Sequence, residues 1–409
     1  MQSLNFSNKY KVDSLSLANV LLMLILLFGV VRGGFDKYNY GITTLVLIGM
    51  IGYCIILKTI RINISSILLW PFLIAIILEI PLQMISNGGY YNVKNAINGV
   101  VVFALMYMVV LVLCNHGSSK MIWNLVNMIS IAASSLILLQ VLCHYILHIN
   151  LDGLPIIGEY LFNSWTFKFY RPCGMFSEPS LYAELVLFSL YYYSFISINK
   201  KWMILHTLAL LLSTSSLAIV GAVFIYAMLF MNMNRMKSMS KEKRLVFSIL
   251  LFCSAIVLLI WISNTSNPVV VRVLSGGTSE VRITRSYELF MRLPIMNKIW
   301  GIGIQNQELY LNYYNIILNS DKLGIAYTNR EFAATIGYIL CTTGVLGLTV
   351  FLAPLVKIFK RYDYRMKVLL MLFGIVCFTC CVFSRMAFCV FLVLIFATKE
   401  IICKEVMNE

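Results

Sequence analysis

Arg171, Glu178 and Glu184 all fall within the stretch RPCGMFSEPSLYAE, residues 171–184, and an apolar run follows directly. Pro179 follows Glu178. Proline disfavours the helical region for the residue before it and fits the first position of a helix. Glu178 is therefore expected to be the N-cap of a membrane span, its carboxylate at the positive end of the helix. With Arg171 as its ion-pair partner, the stretch reads most simply as a capped helix start. Glu184 would lie about 9 Å deeper by helical rise. An ionisable residue at that depth faces a polar interior and is a functional candidate. A glutamate paired with a neighbouring helix is the plainer alternative.

A second chemical stretch is SEVRITRSYELFMRLP, residues 279–294. Its spacing predicts a helix with Arg282, Arg285, Glu288 and Arg292 on one side. Ile283, Tyr287, Phe290 and Met291 fall on the other. Ser279 and Glu280 suit a helix start, and Pro294 suits its end. Arginines on one stripe repel one another unless an anion bridges them, and the arginine fork suits a diphosphate. An interfacial helix whose arginines meet lipid headgroups has the same pattern.

The elements that must position these residues follow from composition. The chain has 409 residues, of which 60% are hydrophobic and 12% charged, with mean hydropathy +0.85. Soluble domains carry about 25% charged residues, and apolar runs recur that could cross a bilayer core of about 30 Å. The chain is thus expected to be all-α, a polytopic membrane protein forming a single domain over 1–409. Expected spans are 17–31, 42–57, 66–86, 97–114, 121–149, 180–198, 245–262, 331–356, 368–383 and 386–398, together with the long run 202–231. If that run breaks at STSS (213–216), the basic segments around Lys58, Arg61, Lys200, Lys201, 232–244 and 357–367 share one side. Twelve spans result, with both ends cytoplasmic. The loops 150–179 and 263–330 are then extracytoplasmic.

The net charge of +15 reads as cytoplasmic loop charge, not nucleic-acid binding, because no basic stretch outside the apolar runs is interleaved with stacking aromatics. Most of the 11 cysteines, including Cys377, Cys380, Cys381 and Cys389, fall in apolar runs and read as small buried hydrophobes. Cys173 alone falls in a long outer loop, so no disulfide framework is expected. No metal site is expected, since the Cys377–Cys381 cluster lacks a histidine and lies within a span. The segment GGTSE matches no nucleotide-binding pattern. The first apolar run lacks a small-x-small cleavage site and reads as a span, not a removed signal.

Together these residues resemble the O-antigen polymerase (Wzy-type) family and its relative, the O-antigen ligase. The likeness rests on RPCGMFSEPS before a span, on the arginine-bearing outer loop ending in IWGIGIQN, and on REFAATIGYILCTTGVLGL (330–348) with Gly344 and Gly347. Relatives often carry serine-arginine at the hairpin tip, where this chain has Ser215 and Ser216. Ligases tend to carry a histidine just before residue 330, where this chain has Tyr327, Thr328 and Asn329, and that favours a polymerase.

The resemblance implies a glycosyltransferase of polysaccharide biosynthesis, making O-antigen of lipopolysaccharide or capsule. Such enzymes move a growing glycan from undecaprenyl diphosphate onto a lipid-linked repeat unit at the outer face of the bacterial inner membrane. On that reading Arg171, Arg282, Arg285 and Arg292 hold diphosphate. Glu178 is the first candidate for the base and Glu184 the second. No cofactor is expected. The partners would be the undecaprenyl-diphosphate-linked oligosaccharide, membrane lipid and a chain-length regulator protein. The rival readings are an O-antigen ligase, a transporter or flippase of lipid-linked glycan, and a non-catalytic scaffold.

Overall fold

The computed structural model describes Met23 and residues 69–116, 118–149, 151, 170–176, 178–235, 277–318, 333–383 and 385–408. Among the described residues every regular element is helical. In chain order they are α1 (Trp70–Ser86), α2 (Val93–His116), α3 (Ser119–Leu142), α4 (Pro179–Phe195), α5 (Lys200–Leu212) and α6 (Ser216–Arg235). Then come α7 (Gly277–Arg292), α8 (Ile295–Trp300), α9 (Gln307–Tyr313), α10 (Thr335–Arg361), α11 (Tyr364–Thr379) and α12 (Met386–Asn408). The apolar runs 42–57 and 245–262, and 17–31 apart from Met23, lie outside the described residues. So do Lys58, Arg61, most of the loop 150–179, and residues 263–276 and 319–330 of the loop 263–330.

Among the described residues, four segments are long and apolar enough to cross a membrane: Val93–Cys114, Ser119–Leu147, Thr335–Arg361 and Met386–Glu405. The second is α3 continued by a π-helical turn, Cys143–Leu147, which His148 ends in the left-handed conformation at φ 53°. The helices α1 and α6 are apolar but shorter. The run 202–231 does divide, with α5 ending at Leu212 and α6 beginning at Ser216. At about 1.5 Å per residue, the 13 residues of α5 reach roughly 20 Å, short of the hydrocarbon core.

The chain divides into two compact units. One holds residues 1–126, 281–362 and 373–409. In it α1 packs on α2, α8 and α10, and α2 packs on α12. Phe72, Phe103, Phe351, Phe383 and Phe388 form its aromatic centre, with Phe103 and Phe383 stacked at 5.2 Å. The other unit holds residues 127–280 and 363–372. Its centre is α4, buried on nearly every side because it is apolar all round. Helix α4 packs on α5 and α6. Gly221 of α6 permits a close approach, since a Cβ there would fall 2.4 Å from Leu187 Cδ1.

Candidate functional site

The segment before α4 is held by backbone geometry that only glycine supplies. Gly174 has φ +64°, and a Cβ on it would lie 2.8 Å from the Ala133 carbonyl oxygen of α3. Gln140 of α3 clamps this turn from both sides. Its Oε1 accepts the Gly174 N–H at 2.9 Å and its Nε2 donates to the Gly174 carbonyl at 3.1 Å. The backbone is thereby bound to α3 on either side of the left-handed residue, and Arg171 is carried inward.

Arg171 is only 6% exposed. Its Nε donates to Thr214 Oγ1 at 3.3 Å, and Thr214 lies in the α5–α6 turn at φ +54°. Burial lowers the guanidinium pKa, and the nearby Glu178 and Cys173 raise it back in part. Arg171, Glu178 and the α5–α6 turn therefore share one end of this unit.

Glu178 holds the N-cap position of α4, with extended backbone and Pro179 at the first helical position. Its carboxylate does not cap the helix. It accepts instead from Ser180 Oγ at 2.9 Å, so the expected cap is positional only, and the half-buried carboxylate is directed to a hydroxyl. Glu184 is 1% exposed, enclosed within the most buried helix of the unit. Of the two carboxylates, Glu178 is the more accessible.

The helix expected over 279–294 forms as α7, but its buried face differs from the one expected. Arg285, Ser286, Leu289 and Leu293 point inward, while Ile283, Tyr287 and Met291 are exposed. The arginines do not form one exposed stripe. Arg285 is 6% exposed. Arg292 is exposed, pairs with Glu288 one turn before it, and donates from Nη1 to the Ile317 carbonyl at 3.1 Å. Mutual repulsion is thus already offset by Glu288 at Arg292. The side chain of Arg282 lies outside the described residues. The reason for the inversion is local: Ser286 sits against Gly337 of α10, where a Cβ would meet Ser286 Cβ at 2.3 Å, and the Cys341 thiol donates to the Ser286 carbonyl.

Two polar groups within the apolar helices escaped the sequence reading. In one unit His206 of α5 is fully buried. Its Nδ1 lies 2.8 Å from Ser134 Oγ and its Nε2 lies 3.1 Å from Ser189 Oγ. Ser189 donates its only hydroxyl proton to Asn127 Oδ1 at 2.7 Å. The His206 Nε2–H must therefore donate to Ser189, and Nδ1 must accept from Ser134. Ser134 in turn accepts from the Tyr182 hydroxyl at 2.9 Å. The chain joins α3, α4 and α5 with every proton directed the same way. In the other unit Glu79 and Gln83 lie one turn apart on α1, both buried. Counting ionisable residues inside apolar runs would have flagged His206 and Glu79.

No known protein family matches the chain, and no curated protein matches it. The fold and its long apolar helices define an all-helical membrane protein.

Proposed function

We propose that the protein is a polysaccharide polymerase. It transfers a growing glycan from undecaprenyl diphosphate onto a lipid-linked repeat unit at the outer face of the inner membrane. The observation that carries this reading is the enclosed Arg171 beside Glu178 at the head of α4. An arginine drawn out of water attracts an anion more strongly than a solvated one does, and the neighbouring carboxylate suits a hydroxyl acceptor. Glu178 takes the proton from the acceptor hydroxyl, whose oxygen bonds to the donor sugar's anomeric carbon. The bond from that carbon to the diphosphate oxygen breaks, and the lipid diphosphate leaves as an anion stabilised by arginine. Arg285 on α7 is enclosed. Arg292 is already engaged by Glu288.

Deleting the gene and resolving surface glycan on a gel tests the reading. A product capped with one repeat, restored to long chains by the wild-type gene but not by Glu178→Gln, supports a polymerase. Loss of all capped core favours the ligase. A transporter of lipid-linked glycan is the second reading. The broken helix α10 favours it, because substrate sites in transporters form at discontinuous helices.

A further inference from the structure

Helix α10 is interrupted at Gly344, whose φ of 66° and ψ of −170° belong to a region that only glycine enters readily. Ahead of the break, the carbonyls of Cys341 and Thr342 accept N–H groups from Ile302 and Gly303 at 3.0 and 2.9 Å. Two glycines make this approach possible. A Cβ on Gly301 would lie 2.2 Å from the Thr342 carbonyl, and one on Gly344 would lie 2.1 Å from the Ile299 oxygen. Gln83 of α1 fixes the same crossing, with Nε2 donating to Trp300 O at 2.6 Å and to Thr342 O at 3.1 Å. Tyr91 holds Gln83 in turn, donating to its Oε1 at 3.0 Å.

One turn before Gln83 on α1 is Glu79, 5% exposed, whose Oε2 has no hydrogen-bond partner among the described residues. Its Oε1 lies 3.2 Å from where a Cβ on Gly347 would be, and Thr343 Oγ1 lies 2.1 Å from that same point. The carboxyl therefore rests against the first turn of the second half of α10. The half-helix supplies positive potential from its N-terminus. The basic groups described on the helices packed against α1 are Lys94 on α2, Lys298 on α8, and Lys357, Lys360 and Arg361 toward the end of α10. No described ion pair joins any of them to Glu79, and Lys298 lies over the Phe290 ring. The other titratable groups there are Tyr107 and Cys114 on α2 and Tyr338 and Cys341 on α10. Tyr91, in the α1–α2 connection, is electrostatically coupled to Glu79; burial first, and Glu79 second, push its pKa up to about 12.

We propose that Glu79, at the break in α10, is a proton-binding site through which the protein takes up and releases a proton. A lone carboxylate in an enclosed apolar helix costs several kcal/mol unless a cation joins it. A metal ion would need several oxygen ligands. Here the carbonyls of Cys341 and Thr342 are already engaged, and Thr343 Oγ1 is bonded to Ile339 O at 2.8 Å. Among the described residues no group of three or more histidine, cysteine, aspartate or glutamate side chains could hold a metal. A proton needs only the carboxyl itself. Losing it leaves a charge that the N-terminus of the half-helix stabilises, so both charge states can be held at the same place. The site is formed by residues of one unit alone and stands whether or not Arg171 and Glu178 transfer glycan.

The test is an acid-minus-alkaline infrared difference spectrum of the full chain in lipid nanodiscs. The carbonyl stretch of protonated carboxylic acids should appear, lose one component in Glu79→Gln, and regain a component at a shifted frequency in Glu79→Asp. Size-exclusion elution at the wild-type volume shows that each variant is folded. A difference spectrum unchanged by Glu79→Gln, in protein that elutes normally, overturns the site. So does thermal stabilisation of the wild type by sodium over choline that Glu79→Gln abolishes, since the ligand would then be an alkali cation.

Discussion

Arg171 carries opposite expectations for stability and for activity. Its buried guanidinium has a lowered pKa, so the fold disfavours the charged form. The sign follows directly: the cost is full below the lowered folded-state pKa and has gone once pH exceeds the unfolded-state pKa of arginine. Stability from this group is thus flat across neutral pH. An apolar replacement of similar length removes the desolvation cost. Arg171→Met is expected to leave Tm unchanged or raised while polymer disappears, as read by thermal melts and glycan gels. A Tm several degrees lower would make Arg171 a structural clamp. Glu178→Gln is the companion. Since the carboxylate bonds Ser180 and not the helix N–H groups, losing its charge should cost no more than about 1–2 kcal/mol, yet abolish long-chain glycan. Normal chains in Glu178→Gln would remove the base role from Glu178.

Among the elements, the proline after Glu178 made the start of α4 legible from sequence, and the placing of basic segments on one side made the α5–α6 break legible. The faces of α7 were not legible, because periodicity ranks side chains by polarity, and here Arg285 and Ser286 are drawn inward while Tyr287 and Met291 are left outside. The break in α10 was marked only by its glycines. Their purpose depends on a partner backbone some forty residues away, which no local pattern encodes. Gly344→Ala should therefore cost more than the roughly 1 kcal/mol typical of a glycine change. The strained backbone alone adds about 1–3 kcal/mol, and the added Cβ would fall 2.1 Å from Ile299 O. A denaturation series in which Gly344→Ala matches wild type would mean that α10 can run on unbroken. The His206 chain gives a second measure. Ser134→Ala, His206→Ala and the double variant should show a coupling energy of about 1–2 kcal/mol, whereas additive losses would mean that the two groups act alone.

At the scale of the whole molecule the question is which face of the membrane receives the chemistry. Within the unit centred on α4, Arg171 and Glu178 share one end with the α5–α6 turn at Thr214. The other end carries the α4–α5 connection, where Tyr193 O accepts from Asn199 N and Asn199 caps α5. Lys200 and Lys201 open α5 there. The Arg365 carbonyl meets Tyr191 near the same end of α4, and Tyr364 donates to Met228 near the end of α6. Lysine and arginine therefore gather opposite the Arg171–Glu178 end, and loops rich in these residues remain in the cytoplasm. The expected outcome is that a cysteine at Ile198, which is 75% exposed, reacts with a membrane-impermeant thiol reagent only after cells are opened. Ser238→Cys should behave alike; its position lies outside the described residues. Leu212→Cys, next to the α5–α6 turn and 37% exposed, should react in intact cells. Each would be measured in a background whose accessible native cysteines are replaced. If Ile198→Cys is labelled from outside and Leu212→Cys is not, the unit is inverted. Arg171 and Glu178 would then face the cytoplasm, where a polymerase acting on lipid-linked glycan at the outer face could not use them.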